Sequence, residues 1–146
     1  MKKKLLLVLA VVLTCAVGVA AAVLEPGDPE PVAALLSQHL EKLDKGPGGL
    51  RKSQSSVLEG VRYVLPFSGG ELQLYAYRTE DAAAQDLLTV SEDGGRVGSI
   101  CVEWEEPPHF FLRDNVIVLY VGEDWDVLNM LDRLCGAQIR GEPLPL

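Results

Sequence analysis

The chain has 146 residues, with 13 Lys and Arg, 21 Asp and Glu, 2 His and a formal charge of −8 at pH 7. Three of the lysines sit at positions 2–4, so the rest holds 10 basic against 21 acidic residues, a net of −11. So negative a body repels polyphosphates and anionic lipid headgroups, which excludes nucleic acid as a partner and leaves membrane contact to the N-terminal segment alone.

That segment reads "MKKK" followed by an apolar run over residues 5–23, broken by Thr14. A basic start, an apolar middle and the small residues Ala20, Ala21 and Ala22 have the layout of a secretory signal over residues 1–22. An uncleaved anchor is the rival reading, because nineteen residues at about 1.5 Å rise span roughly 28 Å. A lipid on Cys15 is the third. All three place the remainder outside the cytoplasmic membrane, so an exported, extracytoplasmic protein is expected.

Residues 23–56 read as a helix plus a Gly/Ser-rich linker. Asp28-Pro29 and Glu30-Pro31 supply a cap and a first-turn proline. Val32, Leu35, Leu36, His39, Leu40 and Leu43 then share one helical face, and Gly46, Pro47, Gly48 and Gly49 stop the helix. The stretch "RKSQSS" is polar and is expected to be mobile.

Residues 57–141 read as the α+β domain. From Val57 the period becomes two. Val61, Tyr63 and Leu65, then Leu72, Leu74 and Ala76, make two strands joined at Ser68-Gly69-Gly70 as an antiparallel hairpin. Thr79 caps a helix carrying Ala83, Ala84, Leu87 and Leu88. After the turn-rich "SEDGGRVG", the segment "SICVEWE" reads as a strand with Ile100, Val102 and Trp104 on one face, ended by a corner at Pro107-Pro108. The run "VIVLYVG" is apolar almost throughout, as in an inner strand covered on both faces. Asp124 starts a last helix whose Val127, Leu128, Leu131, Leu134 and Cys135 face inward, and Gly136 stops it. The expected fold is α+β, an antiparallel-rich sheet of about four strands with helices packed on one face, in the order α-ββα-ββα. "YRTEDAAAQDLL" and "YVGEDWDVLNML" echo each other at a 43-residue offset, as either a duplicated unit or convergence on one strand-to-helix pattern would produce.

"VSEDGGRVG", then a Trp, "PPHFF", "VIVLYVGED" and "LNMLDRLCGAQIRG" in this order resemble an uncharacterised family of small exported bacterial proteins and lipoproteins, often Gram-positive. The resemblance covers residues 72–141. Family members carry an aromatic and a small residue where this chain has Ile139 and Arg140. The resemblance implies export and a single fold, and it supplies no catalytic residue.

The cluster "VEWEEPPHFF" holds the candidate site residues. As a ligand or partner surface, Trp104, His109, Phe110 and Phe111 would act together with Tyr75 and Tyr77. As a metal or general-base site, His109 would act with Glu103 and Glu105, which period-two geometry places on one strand face, or with Glu106 or Asp114. His39 lies far away on a helix, and the chain has no H-E-x-x-H or paired-Cys motif. As structure, the prolines turn the chain and the rings cover the sheet edge. The loop Ser91-Glu92-Asp93-Gly94-Gly95 has oxygen donors suited to calcium but lacks the EF-hand pattern, and Glu123-Asp124 suits a helix N-terminus. Cys101 and Cys135 are expected as buried free thiols, with a disulfide as the alternative. There is no nucleophile elbow and no phosphate loop, and no catalytic residue or cofactor is assigned. The expected function is a non-catalytic envelope domain that binds a protein or small ligand. The alternatives are a metal-assisted hydrolase centred on His109 and a structural or tethering protein acting through "GPGGLRKSQSS".

Overall fold

The computed structural model describes residues 27–144. The expected signal, anchor and Cys15 lipid site fall outside them. Helix α1 (Glu30–Lys42) is followed by strands β1 (Arg51–Lys52), β2 (Val61–Phe67) and β3 (Gly70–Ala76), then helix α2 (Glu80–Leu87). A short hairpin of β4 (Arg96–Val97) and β5 (Ile100–Cys101) precedes β6 (Pro108–Arg113), β7 (Val116–Val121), helix α3 (Trp125–Cys135) and β8 (Arg140–Gly141). Six strands form an antiparallel sheet in the order β1-β2-β3-β7-β6-β8, and β4 pairs with β5 apart from it. The four long strands are β2, β3, β7 and β6, and the two-residue β1 and β8 extend the sheet beyond the expected four. Among the described residues no helix is long and apolar enough to cross a membrane.

The local signals work as their chemistry dictates. Phe67 pairs with Gly70 across Ser68-Gly69, with Gly69 at φ 96°, a conformation glycine adopts without steric cost. The Thr79 hydroxyl accepts from the Ala82 N–H at 3.1 Å and opens α2. The Asp124 carboxylate accepts from the N–H groups of Asp126 and Val127 and opens α3. Gly136 follows α3 at φ 82°.

Helices cover both faces of the sheet, not one. Leu72 and Leu74 of β3 and Val116, Val118 and Tyr120 of β7 face α1 and α3, in one core with Leu36, Leu40, Val127 and Leu131. Tyr75 of β3 and Ile117 and Leu119 of β7 face the other way, against Ala83 and Leu87 of α2 and Val90 and Val97 around β4. Strands apolar at successive positions expose a hydrophobic surface on each side, and both surfaces must be removed from water.

The strand expected at "SICVEWE" is largely absent. Only Ile100-Cys101 is extended, in the small hairpin, and the partner of β7 is instead Pro108–Arg113. Pro108 is a strand's first residue rather than its terminator, a place where its missing N–H costs no ladder bond. The hairpin turns at Asp114-Asn115, with Asp114 at φ 52°, a region Asp tolerates better than most residues. Asn115 then clamps the start of α2: its Nδ2 donates to the Tyr77 carbonyl at 2.7 Å, and the Tyr77 N–H donates to the Asn115 carbonyl at 2.9 Å.

The segment expected as a mobile linker is bonded to the sheet. Arg51 and Lys52 pair with Val64 and Tyr63, Gly48 N–H donates to the Pro66 carbonyl, and Ser53 N–H donates to that of Arg62. With α1 in the main core, residues 28–56 belong to the same packed unit as the rest. The 43-residue echo does not mark equivalent units. Tyr77 and Tyr120 face opposite sides of the sheet, α2 and α3 likewise, and a two-fold axis normal to a duplicated antiparallel sheet would keep them on one side. The Glu-Asp pairs differ too, since Asp124 is an N-cap while Asp81 lies inside α2.

Candidate functional site

The six residues expected to form one surface do not form one. Phe110 and Phe111 are adjacent in β6, so their rings leave opposite faces of the sheet, and both are 0% exposed. They are core. Tyr77 is buried, and its hydroxyl donates to Asp86 Oδ2, which also accepts from the Glu59 N–H at 2.8 Å. Burial, reinforced by that bond to Asp86, pushes the Tyr77 phenol far above its ordinary range. Tyr77 borders a cleft of about 420 Å³, but its polar atom is spent on fixing α2 to the loop at residues 57–60. His109 lies on the α3 face, stacked at 6.4 Å on Tyr120.

Tyr75 and Trp104 do meet, in a cleft of about 130 Å³ lined also by Ser55, Ser56, Val57, Arg62 and Gln73. The hairpin register builds it. Arg62 lies opposite Tyr75, and Val64 opposite Gln73, which puts Arg62, Gln73 and Tyr75 on the same face of the sheet. Gln73 Oε1 accepts from Arg62 Nε at 3.0 Å and from the Tyr75 hydroxyl at 2.9 Å, and Arg62 Nη1 donates to Ser53 Oγ at 2.6 Å. Trp104 closes the far side: its indole N–H donates to the Gly94 carbonyl at 2.7 Å, and its ring meets that of Phe110 edge-on at 6.1 Å. Burial raises the Tyr75 phenol to about 12 against the opposing pull of Arg62, so it stands neutral beside the guanidinium.

Arg62 is the electrostatic centre of this cleft. Its side chain is 18% exposed, yet its nearest carboxylate, Glu71, stands 3.9 Å from Nη2 and is itself 46% exposed. A pair at that distance, open to water, contributes little. Of the guanidinium nitrogens Nη2 makes no hydrogen bond to the described residues, and neither does the Gln73 amide N–H2. A charge-assisted hydrogen bond from a guanidinium N–H suits a carboxylate or phosphate oxygen. No protein-family model, characterised protein or solved structure matches this chain.

The carboxylates expected around His109 do not join it. Glu103 and Glu105 are exposed and outside any strand, so the period-two geometry invoked for them is not realised. Asp114 sits at the hairpin tip. Among the described residues no group of three His, Cys, Asp or Glu side chains converges to hold a metal ion, which applies equally to the loop at residues 91–95. There Asp93 accepts from Gly95 N–H at 2.9 Å and Ser91 Oγ at 2.7 Å, bonds that close the turn on itself and hold the Asp93 carboxyl below its usual range. Asp124 pairs with Lys45 at 2.7 Å in addition to capping α3. His39 is a half-buried residue of α1. Both described cysteines are free, but Cys101 is exposed rather than buried, because its strand belongs to the outer hairpin and not to the sheet.

Arg62, Gln73 and Asp86 escaped the sequence reading. Arg62 and Gln73 stand at the polar positions of alternating strands, which read as a solvated face when helices are expected on the other side. The available signal was a hairpin presenting Arg, Gln and Tyr on one face, a donor-rich set unusual in so acidic a chain.

Proposed function

We propose that this protein is an exported, non-catalytic domain of the bacterial cell envelope that binds a small ligand in the Arg62–Gln73–Tyr75–Trp104 cleft. The ligand class is a carboxylate carried on a flat or apolar body, with the anionic edge on the Arg62 fork and the body against the Trp104 ring. The observation that carries this reading is a largely buried guanidinium whose Nη2 makes no hydrogen bond to the described residues, in a protein whose net charge outside the N-terminus is −11. Burying that charge costs free energy unless it is paired, and a bound anion supplies the pairing. Export is supported by the basic and apolar N-terminal pattern and by the resemblance to small exported bacterial proteins. The envelope setting rests on the same two features.

The chain has two Trp residues, Trp104 and Trp125, so a Trp125→Phe variant makes Trp104 the single tryptophan. Trp125 is half exposed and remote from the cleft, so that change leaves the site intact. Titration with benzoate is expected to give a saturable change in Trp104 emission that Arg62→Met removes. Benzamide, the uncharged counterpart, is expected to give none. A response equal for both probes, or one that survives Arg62→Met in a folded variant, refutes an anion site here.

A further inference from the structure

On the opposite face of the sheet, β6, the start of α3 and the C-terminal segment enclose a second cleft of about 250 Å³, lined by Pro107, His109, Glu123, Leu128, Glu142 and Pro143. His109 forms part of its wall while being 2% exposed. Its imidazole is fixed on one side by the Tyr120 ring and on its edge by Gln138, whose Oε1 lies 2.8 Å from Nδ1. The Gln138 amide has a defined orientation, because its Nε2 donates to the Glu142 carbonyl at 2.7 Å. Oε1 therefore faces the ring, and the network assigns the Nδ1 position as the N–H. In the neutral ring Nε2 is then left as an acceptor.

Nε2 has no partner among the described residues, yet no fully enclosed side-chain nitrogen or oxygen there lacks one. Nε2 is therefore not fully enclosed, and His109 lines the cleft. Around it stand acceptors without donors: the carboxylates of Glu123 and Glu142, both exposed at the rim. Lys45 is already held by Asp124, and Arg113, on the same face of β6 as His109, donates to the Leu134 carbonyl. Leu128, Pro107 and Pro143 give the walls apolar area.

We propose that this cleft binds a primary ammonium group on an unbranched aliphatic stem, the ammonium donating to His109 Nε2 and lying between Glu123 and Glu142. An ammonium has three donors and no acceptor, which matches a site that offers only acceptors. The stem buries its methylenes on Leu128 and the two prolines. The carboxylates disfavour an anion. A metal ion is disfavoured because His109, Glu123 and Glu142 do not converge to coordinating distance. The negative field of the whole body raises the local concentration of cations at the rim. Such a group comes either from a lysine side chain of a polypeptide or from a small free amine.

The test uses the full-length protein labelled with nitrogen-15 and long-range correlation of the imidazole nitrogens at fixed pH. Two His residues give two ring systems, and His39 on α1 is the internal control. n-Butylammonium is expected to move the His109 Nε2 resonance saturably and leave His39 in place, while n-butanol and added sodium chloride move neither. Glu123→Gln combined with Glu142→Gln, at two exposed positions, is expected to weaken the butylammonium affinity at least about tenfold, a change of roughly 1.4 kcal/mol. Tighter binding of Nα-acetyl-lysinamide than of butylammonium assigns the group to a polypeptide lysine, and equal binding assigns it to a free amine. Absence of a saturable His109 shift with either amine overturns the proposal, as does an equal shift with butanol or sodium chloride, or an affinity unchanged in the double variant. None of these outcomes touches the Arg62 cleft, which lies on the other face and is read by Trp104.

Discussion

Phe110 and Phe111 are neighbours in the chain, both fully enclosed, and belong to different cores. A phenyl ring that buries about 150–250 Å² at roughly 25 cal/mol per Å² is worth about 4–6 kcal/mol as an upper bound. Measured Phe→Ala changes in cores run about 3–5 kcal/mol, because a cavity is left and the surroundings relax only in part. Each of Phe110→Ala and Phe111→Ala is therefore expected to cost about 3–5 kcal/mol in urea unfolding monitored by circular dichroism. That is a large share of the 5–15 kcal/mol typical of a domain, so the measurement needs a stabilising osmolyte or the milder Phe→Leu pair. The two Phe→Leu changes are expected to add within about 0.5 kcal/mol, because the sheet separates the rings and they share no cavity. A cost below about 0.5 kcal/mol for either Ala variant is what an exposed ring gives, and it would refute the two-faced sheet. Strong non-additivity of the Leu pair would mean one shared core.

Asp124→Ala removes an N-cap and the partner of Lys45, and is expected to cost about 0.5–2 kcal/mol at pH 7 in the same assay. The hydrogen bond from Lys45 is the main reason the Asp124 carboxyl sits below its ordinary value. Its stabilisation is therefore present above about pH 4 and lost as pH falls through the folded value. Asp124→Asn, which keeps the cap but not the charge, is expected to differ from the parent at pH 7 and to converge with it in acid; a gap that widens on acidification contradicts the ion pair. Exposed Cys101 is expected to react with a disulfide reagent at pH 8 far faster than Cys135, whose thiol burial pushes to about 11. Equal labelling rates by peptide mapping would show that the last turn of α3 does not pack Cys135 against the core. Gly141 stands at φ 116°, where an added Cβ would collide with the Pro108 carbonyl oxygen. Gly141→Ala is expected to cost more than about 1 kcal/mol and to increase amide exchange of the Gly141 N–H, which donates to the Glu92 carbonyl; exchange unchanged from the parent would remove the argument.

The elements that depend on near neighbours were legible. Thr79 and Asp124 cap the helices expected of them, Gly69 turns the first hairpin, and the unbroken apolar run at residues 116–121 is the inner strand. The second hairpin was misplaced because "ICVEW" alternates as convincingly as "HFFLR". What separates them is that β6 has a long partner in β7 for all six residues, while β5 finds only two in β4. The one-sided helix layer failed for a related reason. Helical periodicity tells which side of α2 is apolar, but not which side of the sheet it meets.

Of the candidate site, the sequence supplied single residues. Trp104, Tyr75 and His109 were singled out, and the cleft residues that give the first two a chemistry were not. By itself the sequence determined the kinds of element, their caps and turns, and the negative charge, since these follow from residue type and from neighbours within about one helical turn. The tertiary structure alone decided which face each helix covers, that a strand register sets Arg62 beside Tyr75 with Trp104 over them, and that Gln138 fixes the proton of His109. Those contacts join positions from about ten to forty residues apart, and no local rule carries information over that distance. They form because one sheet with two apolar faces has to be enclosed on both.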